Sequence, residues 1–234
     1  MRVRSSTREK AGERSARETR LEIQQSVLLT VLYADLFDYP LSVDELYRRL
    51  IDGVPSRDQF RSALDELTDS VLERSRGFVT RKGRADLIDR RCRRENVSHE
   101  HWRIAEQYGA WLRWIPFVRM VAVSGSLALD NATADSDIDL FCVVESRRLW
   151  LVRLGLVFLS RMTRFFPTAF SRYLCPNYLL TLEALELEEK NLFTAYESVQ
   201  AVPLWGRSVY HRFLCANPWI AEYLPNSREK APDD

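Results

Sequence analysis

The sequence predicts a mixed α/β (α+β) chain: a small mixed-sheet domain preceded by a three-helix domain with a short hairpin and by a helical connector. Three patterns carry this expectation. Near the N-terminus, apolar residues recur at helical spacing between strong capping signals. Further on, two β-rich runs flank a Gly-Ser turn and an Asp-x-Asp pair, and beyond them apolar helical periodicity returns. The 234 residues, 46% of them hydrophobic, suffice for two cores. We expect residues 1–20 as a disordered arm, 21–82 as the first domain, 83–116 as the connector, 117–225 as the mixed-sheet domain and 226–234 as a loose tail.

In the arm, arginines alternate with Glu9, Glu13 and Glu18 around no apolar centre, which excludes a secretory signal. From Leu21 to Phe37 the stripe Ile23, Val27, Val31, Leu32 reads as a helix, ended before Pro40 because the residue preceding proline avoids helical angles. Ser42 with Glu45, and Ser56 with Gln59, are capping boxes that open two more helices, the first of them closed at Asp52-Gly53. Leu72-Glu73-Arg74 and Phe78-Val79-Thr80 around Ser75-Arg76-Gly77 read as a two-stranded wing. This order of elements resembles a winged-helix domain. Its third helix would offer Arg57 and Arg61 to DNA, but also Asp58, Asp65, Glu66 and Asp69, which repel phosphates. DNA binding is therefore disfavoured, and packing or partner docking is expected of that face.

The connector places Ile104, Tyr108, Trp111, Leu112 and Ile115 on one helical face, expected to be core. His99 and His101 flank Glu100 without the i, i+4 spacing of helical metal ligands, and read as a solvated helix start. A net charge of +1 argues against a chain whose task is coating a polyanion. Cys92, Cys142, Cys175 and Cys215 lie far apart, which suggests neither a zinc ribbon nor a disulfide scaffold but reduced thiols and a cytoplasmic location. The apolar run Leu149–Phe166 contains Arg153, Arg161 and Arg164 and is short for a membrane span. It reads as a buried amphipathic helix, and no membrane partner is expected.

Val118–Val123 is β-rich and runs into Ser124-Gly125-Ser126, after which Leu127-Ala128-Leu129 looks helical. A glycine at such a bend lets the backbone approach a ligand, and amides opening a helix face an anion, so Ser124, Gly125 and Ser126 are candidate binders of a nucleotide triphosphate tail. Ser136-Asp137-Ile138-Asp139-Leu140 begins the second strand. Alternation puts Asp137 and Asp139 on one face, where two carboxylates can share divalent cations; all-oxygen ligands favour Mg2+ or Mn2+.

Val123-Ser-Gly-Ser-Leu-Ala followed by Ser136-Asp-Ile-Asp-Leu resembles the signature of the polymerase beta nucleotidyltransferase superfamily. The resemblance covers Val118 to Val144 well, and with its leading helical domain the arrangement is similar to bacterial nucleotidyltransferase-domain proteins. It implies that Gly125-Ser126 binds triphosphate, that Asp137 and Asp139 bind metal, and that nucleoside monophosphate passes from a nucleoside triphosphate to a hydroxyl acceptor. The acceptor, whether small molecule, RNA or protein, is left open. The family places a third carboxylate on the next strand, expected here as Asn177–Glu183, after a helix from Arg148 to Arg164. Asn177, which offers a neutral carbonyl but cannot accept a proton, and Glu183 compete for that position. Glu186, Glu188 and Glu189 read as the solvated start of the following helix, and Trp205, Arg207 and Tyr210 as packing residues. The alternative reading is a DNA-binding regulator with a degenerate, nucleotide-sensing domain.

Overall fold

In the computed structural model, which describes residues 3–162 and 174–229, the chain divides into two units. The first comprises residues up to Asp89 together with Ala221–Glu229. Helix α1 spans Val3–Asp35 and buries Ile23, Val27 and Val31. It therefore begins well before Leu21, through the segment expected as a disordered arm. That segment lacks proline and has a single glycine, Gly12, to interrupt a helix.

Strand β1 (Leu41–Ser42) leads into α2 (Val43–Arg48), and α3 covers Arg57–Leu67. Both capping boxes form as expected: Ser42 and Ser56 accept from the backbone N–H of Glu45 and Gln59, whose side chains accept in return. β2 (Leu72–Ser75) and β3 (Phe78–Arg81) make a hairpin whose turn residues Arg76 and Gly77 both have positive φ, 51° and 83°. That is the turn geometry a two-residue hairpin loop requires. β1 adds antiparallel to β3, giving the order β1-β3-β2. Leu46, Leu50, Phe60, Leu64 and Leu72 are fully enclosed. On α3, Glu66 accepts from Arg20 and Gln24 of α1, and Arg57 pairs with Asp44 at 3.1 Å.

The chain end returns to this unit. Tyr223 O accepts from Asp52 N at 3.2 Å, Leu224 is fully buried, and Asn226 Nδ2 donates to Tyr47 O at 3.1 Å within the 3-10 helix Pro225–Glu229. Asn226 is thus docked, where the sequence suggested a loose tail; its partner Tyr47 lies 179 residues earlier in the chain, out of reach of local pattern.

The second unit, Arg90–Ile220, holds most of α4 (Asp86–Leu112). Its elements are β4 (Val118–Val123), α5 (Gly125–Ala128), β5 (Ile138–Val144), α6 (Leu149–Met162), β6 (Leu174–Thr181), α7 (Leu192–Gln200), β7 (Val202–Trp205) and α8 (Arg207–Ala216); α9 (Ile220–Tyr223) follows. The sheet runs β6-β5-β4-β7, with β5 and β6 parallel and the other pairs antiparallel. Val121, Val123, Ile138, Leu140 and Val144 project from one face into a core shared with Ala105 and Leu112 of α4 and Val152 and Leu156 of α6. The expected connector is therefore a cover of the sheet. His101 is buried, its Nδ1 3.1 Å from Val97 O, rather than at a solvated helix start, whereas Trp111, expected in the core, is 71% exposed.

β6 begins three residues before the expected strand. Helix α6 is less buried than its composition suggested: Val152 and Leu156 face the core, but Trp150, Leu154 and Phe158 are exposed. The part of the expected helix beyond Met162 lies outside the described residues. Among the described residues, no helix is long and apolar enough to cross a membrane.

Candidate active site

The opposite face of the sheet carries Asp139 and Phe141, since alternation turns Ile138, Leu140 and Cys142 into the core. β4 pairs with β5 as far as Val123 and Leu140, and Ser124 N then donates to Asp139 O at 2.9 Å. This bond fixes the strand exit against the acidic pair. Gly125 follows with φ +64°, and a Cβ there would collide with Asp139 Oδ2 and lie 3.2 Å from its Cγ. Only glycine lets the bend lie directly on the carboxylate. The Ser-Gly-Ser turn and the aspartates, separate in sequence, thus meet on one side of one sheet.

The loop between them is tied to α4. Ser98 Oγ accepts from Ala132 N at 3.0 Å in a fully buried position, Trp102 Nε1 donates to Asp130 Oδ1 at 2.7 Å, and an Arg94 guanidinium donates to Asn131 Oδ1 at 3.1 Å. Thr133 N donates to Ser136 Oγ at 2.9 Å and closes the turn before Asp137. Burial first, and the neighbouring Asp137 second, raise the Asp139 carboxyl above its ordinary range.

Residues 110–196 match the family model of the nucleotidyltransferase domain. The chain therefore contains a nucleotidyltransferase domain, running from the end of α4 through β4, β5 and β6 to α7. No curated protein and no solved structure matches the chain.

In this nucleotidyltransferase domain the third strand differs in register from expectation. Cys175 of β6 pairs with Asp139, and a bulge between Leu140 and Phe141 leaves Asn177 between the paired Pro176 and Tyr178. Asn177 is exposed and lines a cleft beside the site. The Cys175 thiol is pushed up by burial and by Asp139 and Asp137, and so stays neutral. Glu183 lies past the end of β6, where Thr181 pairs with Val144. Five positions along β5 separate that pair from Asp139, roughly 16 Å, so Glu183 is not brought to the aspartates.

A different carboxylate is. Glu197 of α7 lines the same cleft as Ser124, and its carboxyl is raised by burial and by Asp139 while accepting from Gln200 Nε2. The family match stops at Tyr196, one residue short of it. In the sequence Glu197 is one polar position in an apolar helix, with no spacing signal to single it out. The cleft measures about 600 Å3 and is walled by Phe141, Tyr178 and Phe213, with Phe141 packing edge-on against Phe213 at 5.0 Å. Trp205, Arg207 and Tyr210 do not line it; the Tyr210 hydroxyl donates to Ser198 O at 2.8 Å. Glu186, Glu188 and Glu189 do line it, instead of opening a helix, because α7 starts later, at Leu192, with Asn191 as its cap. Among the described residues, no three His, Cys, Asp or Glu side chains converge as a metal cluster.

Proposed function

We propose that this domain transfers a nucleoside monophosphate from a nucleoside triphosphate to a hydroxyl acceptor, with release of pyrophosphate and with Mg2+ or Mn2+ held by Asp137 and Asp139. The observation that carries this reading is the seat of the Gly125 bend on the Asp139 carboxylate. A phosphate chain lying on the bend is then within reach of any cation the aspartates hold.

The donor set suits a hard divalent cation. Both groups are carboxylates, the all-oxygen donors that such a cation prefers. Such cations, when bound, lower the pKa of the attacking hydroxyl and neutralise charge on the triphosphate. The rest falls to the chain. The amides of Gly125 and Ser126 and the Ser126 hydroxyl hold phosphate oxygens, while Ser124 fixes the exit of β4 through its bond to Asp139 O.

Glu197 takes the proton of the acceptor hydroxyl. It lines the cleft through which an acceptor reaches Asp139, and a carboxyl held above its ordinary range is the better base near neutral pH. Asn177, at the bulge, offers the acceptor a neutral hydrogen-bonding amide.

Asp137→Ala is expected to abolish Mg2+-dependent triphosphate binding in a calorimetric titration of the full chain; unchanged binding would remove the basis of this reading. A DNA-binding role gains no support from α3, since Arg57 is engaged by Asp44 and the same helix exposes Asp58 and Asp65.

A further inference from the structure

Helix α6 has two apolar faces. Val152 and Leu156 enter the core, while Trp150, Leu151, Leu154 and Phe158 fall on the far side, within an arc of about 100° when each residue turns the helix by about 100°. That side is open: Trp150 is 75%, Leu154 66% and Phe158 63% exposed, and a Cβ at Gly155 would meet nothing within 4 Å. Apolar side chains of this size, contiguous along a helix, mark a surface that something covers. The end of α4 extends it with Trp111 and Trp114, the latter 85% exposed. The segments leaving α4 and entering α6 meet where Glu145 N donates to Phe117 O at 2.8 Å and the Arg148 guanidinium lies 5.0 Å from the centre of the Phe117 ring.

Charge decides what covers this face. From Ser146 to Met162 the sequence carries Arg147, Arg148, Arg153 and Arg161 and neither Asp nor Glu. Arg153 flanks the arc, its guanidinium 5.7 Å from the centre of the Trp150 ring, and exposed Arg161 continues the arc in the turn after Phe158. A second copy of the same face would set arginine against arginine with no carboxylate from this segment to answer it. A nucleic acid would engage the arginines but bring phosphates against the apolar centre. An anionic bilayer meets both demands, since its phosphates pair with guanidinium groups, its acyl boundary takes up leucine and phenylalanine, and tryptophan sits at the level between. We propose that α6 is a membrane-surface anchor, lying along an anionic bilayer with Trp150, Leu154 and Phe158 in the acyl boundary and Arg153 and Arg161 among the lipid phosphates. The apolar run alone pointed to a buried helix; the outward exposure of these side chains assigns it to a surface. This seat is independent of the reaction at Asp139.

The test sediments the full chain with phosphatidylcholine vesicles and with vesicles in which phosphatidylglycerol replaces part of that lipid. Partition onto the anionic vesicles is expected to be about tenfold stronger or more, and to fall as salt is raised. It should weaken about tenfold or more in Arg153→Gln/Arg161→Gln and in Leu154→Ser/Phe158→Ser. All four side chains are exposed, so far-UV circular dichroism and Tm of both variants should match the wild type. A second readout needs no folded variant: anionic vesicles with brominated acyl chains should quench part of the wild-type tryptophan fluorescence, and Trp150→Phe should remove part of that quenching. Absence of binding, equal partition onto the two vesicle types, binding without quenching, or binding that Leu154→Ser/Phe158→Ser leaves unchanged overturns the proposal. So does a dimer in light scattering that the same variant dissociates, because it gives the face to a second copy.

Discussion

Asp139 is held between two demands. In the proposed reaction its carboxylate is ionised to hold a cation, yet burial and Asp137 both favour its protonated form. A carboxyl whose pKa is raised on folding contributes stability below its ordinary value of 3.8, and that contribution is lost as pH rises through the higher folded value. At neutral pH, ionised Asp139 is therefore a net cost to the metal-free protein. Asp139→Asn should raise Tm by a few degrees at pH 7 in metal-free buffer and leave it unchanged near pH 3; added Mg2+ should stabilise the wild type alone. A lower Tm for the variant at pH 7 would contradict the sign. Gly125 answers the same geometry from the other strand. Gly125→Ala places a methyl in the carboxylate and forces a left-handed alanine, at about 1–2 kcal/mol for the backbone alone. Urea denaturation should show that loss, and calorimetry at least a tenfold fall in Mg2+-triphosphate affinity; wild-type affinity would show that the bend does not set the position of Asp139.

The loop joining α5 to β5 is positioned by α4, and the key bond is that from Ala132 N to Ser98 Oγ, both residues being fully buried. Ser98→Ala leaves the amide without this partner, costing about 1–3 kcal/mol in urea unfolding, and should weaken Mg2+-triphosphate binding because Asp137 follows in the same loop. Destabilisation with unaltered binding would confine the bond to a structural role. Elements of this kind were unevenly legible in the sequence. Caps, hairpin turn, β4 and the Gly-Ser bend are local patterns, and each stands where the sequence put it. The third strand was misjudged because strand parity is unforgiving: an earlier start and a bulge bring Cys175, not Asn177, beside Asp139. Glu197 was invisible for another reason. Its place in the cleft depends on where α7 folds, which leaves no periodic trace in the sequence. The α4 helix was legible as a helix but not as the cover of the sheet, since the same apolar stripe serves either purpose.

The path of the chain makes its last residues part of its first unit. The chain leaves that unit within α4, builds the nucleotidyltransferase domain, and returns at Ala221 to place Leu224 and Asn226 among residues laid down at the start. Asn226 gives Tyr47 O its hydrogen bond, and Tyr223 O takes one from Asp52 N, so the return segment satisfies backbone groups at the end of α2 and in the turn that follows it. Leu224 adds a fully buried side chain. Leu224→Ala should therefore cost about 2–4 kcal/mol, and deletion from Ala221 onward more, because it also strands the Tyr47 carbonyl. Hydrogen exchange is the discriminating measurement. Amides of α2 and α3 should lose protection in both variants, while those of β4 and β5 keep theirs, since the bonds of Tyr223 O with Asp52 N and of Asn226 with Tyr47 O lie within the first unit. Uniform loss across both units would instead show that they unfold as one, and unchanged protection of α2 would show that the return segment contributes nothing to the unit it completes.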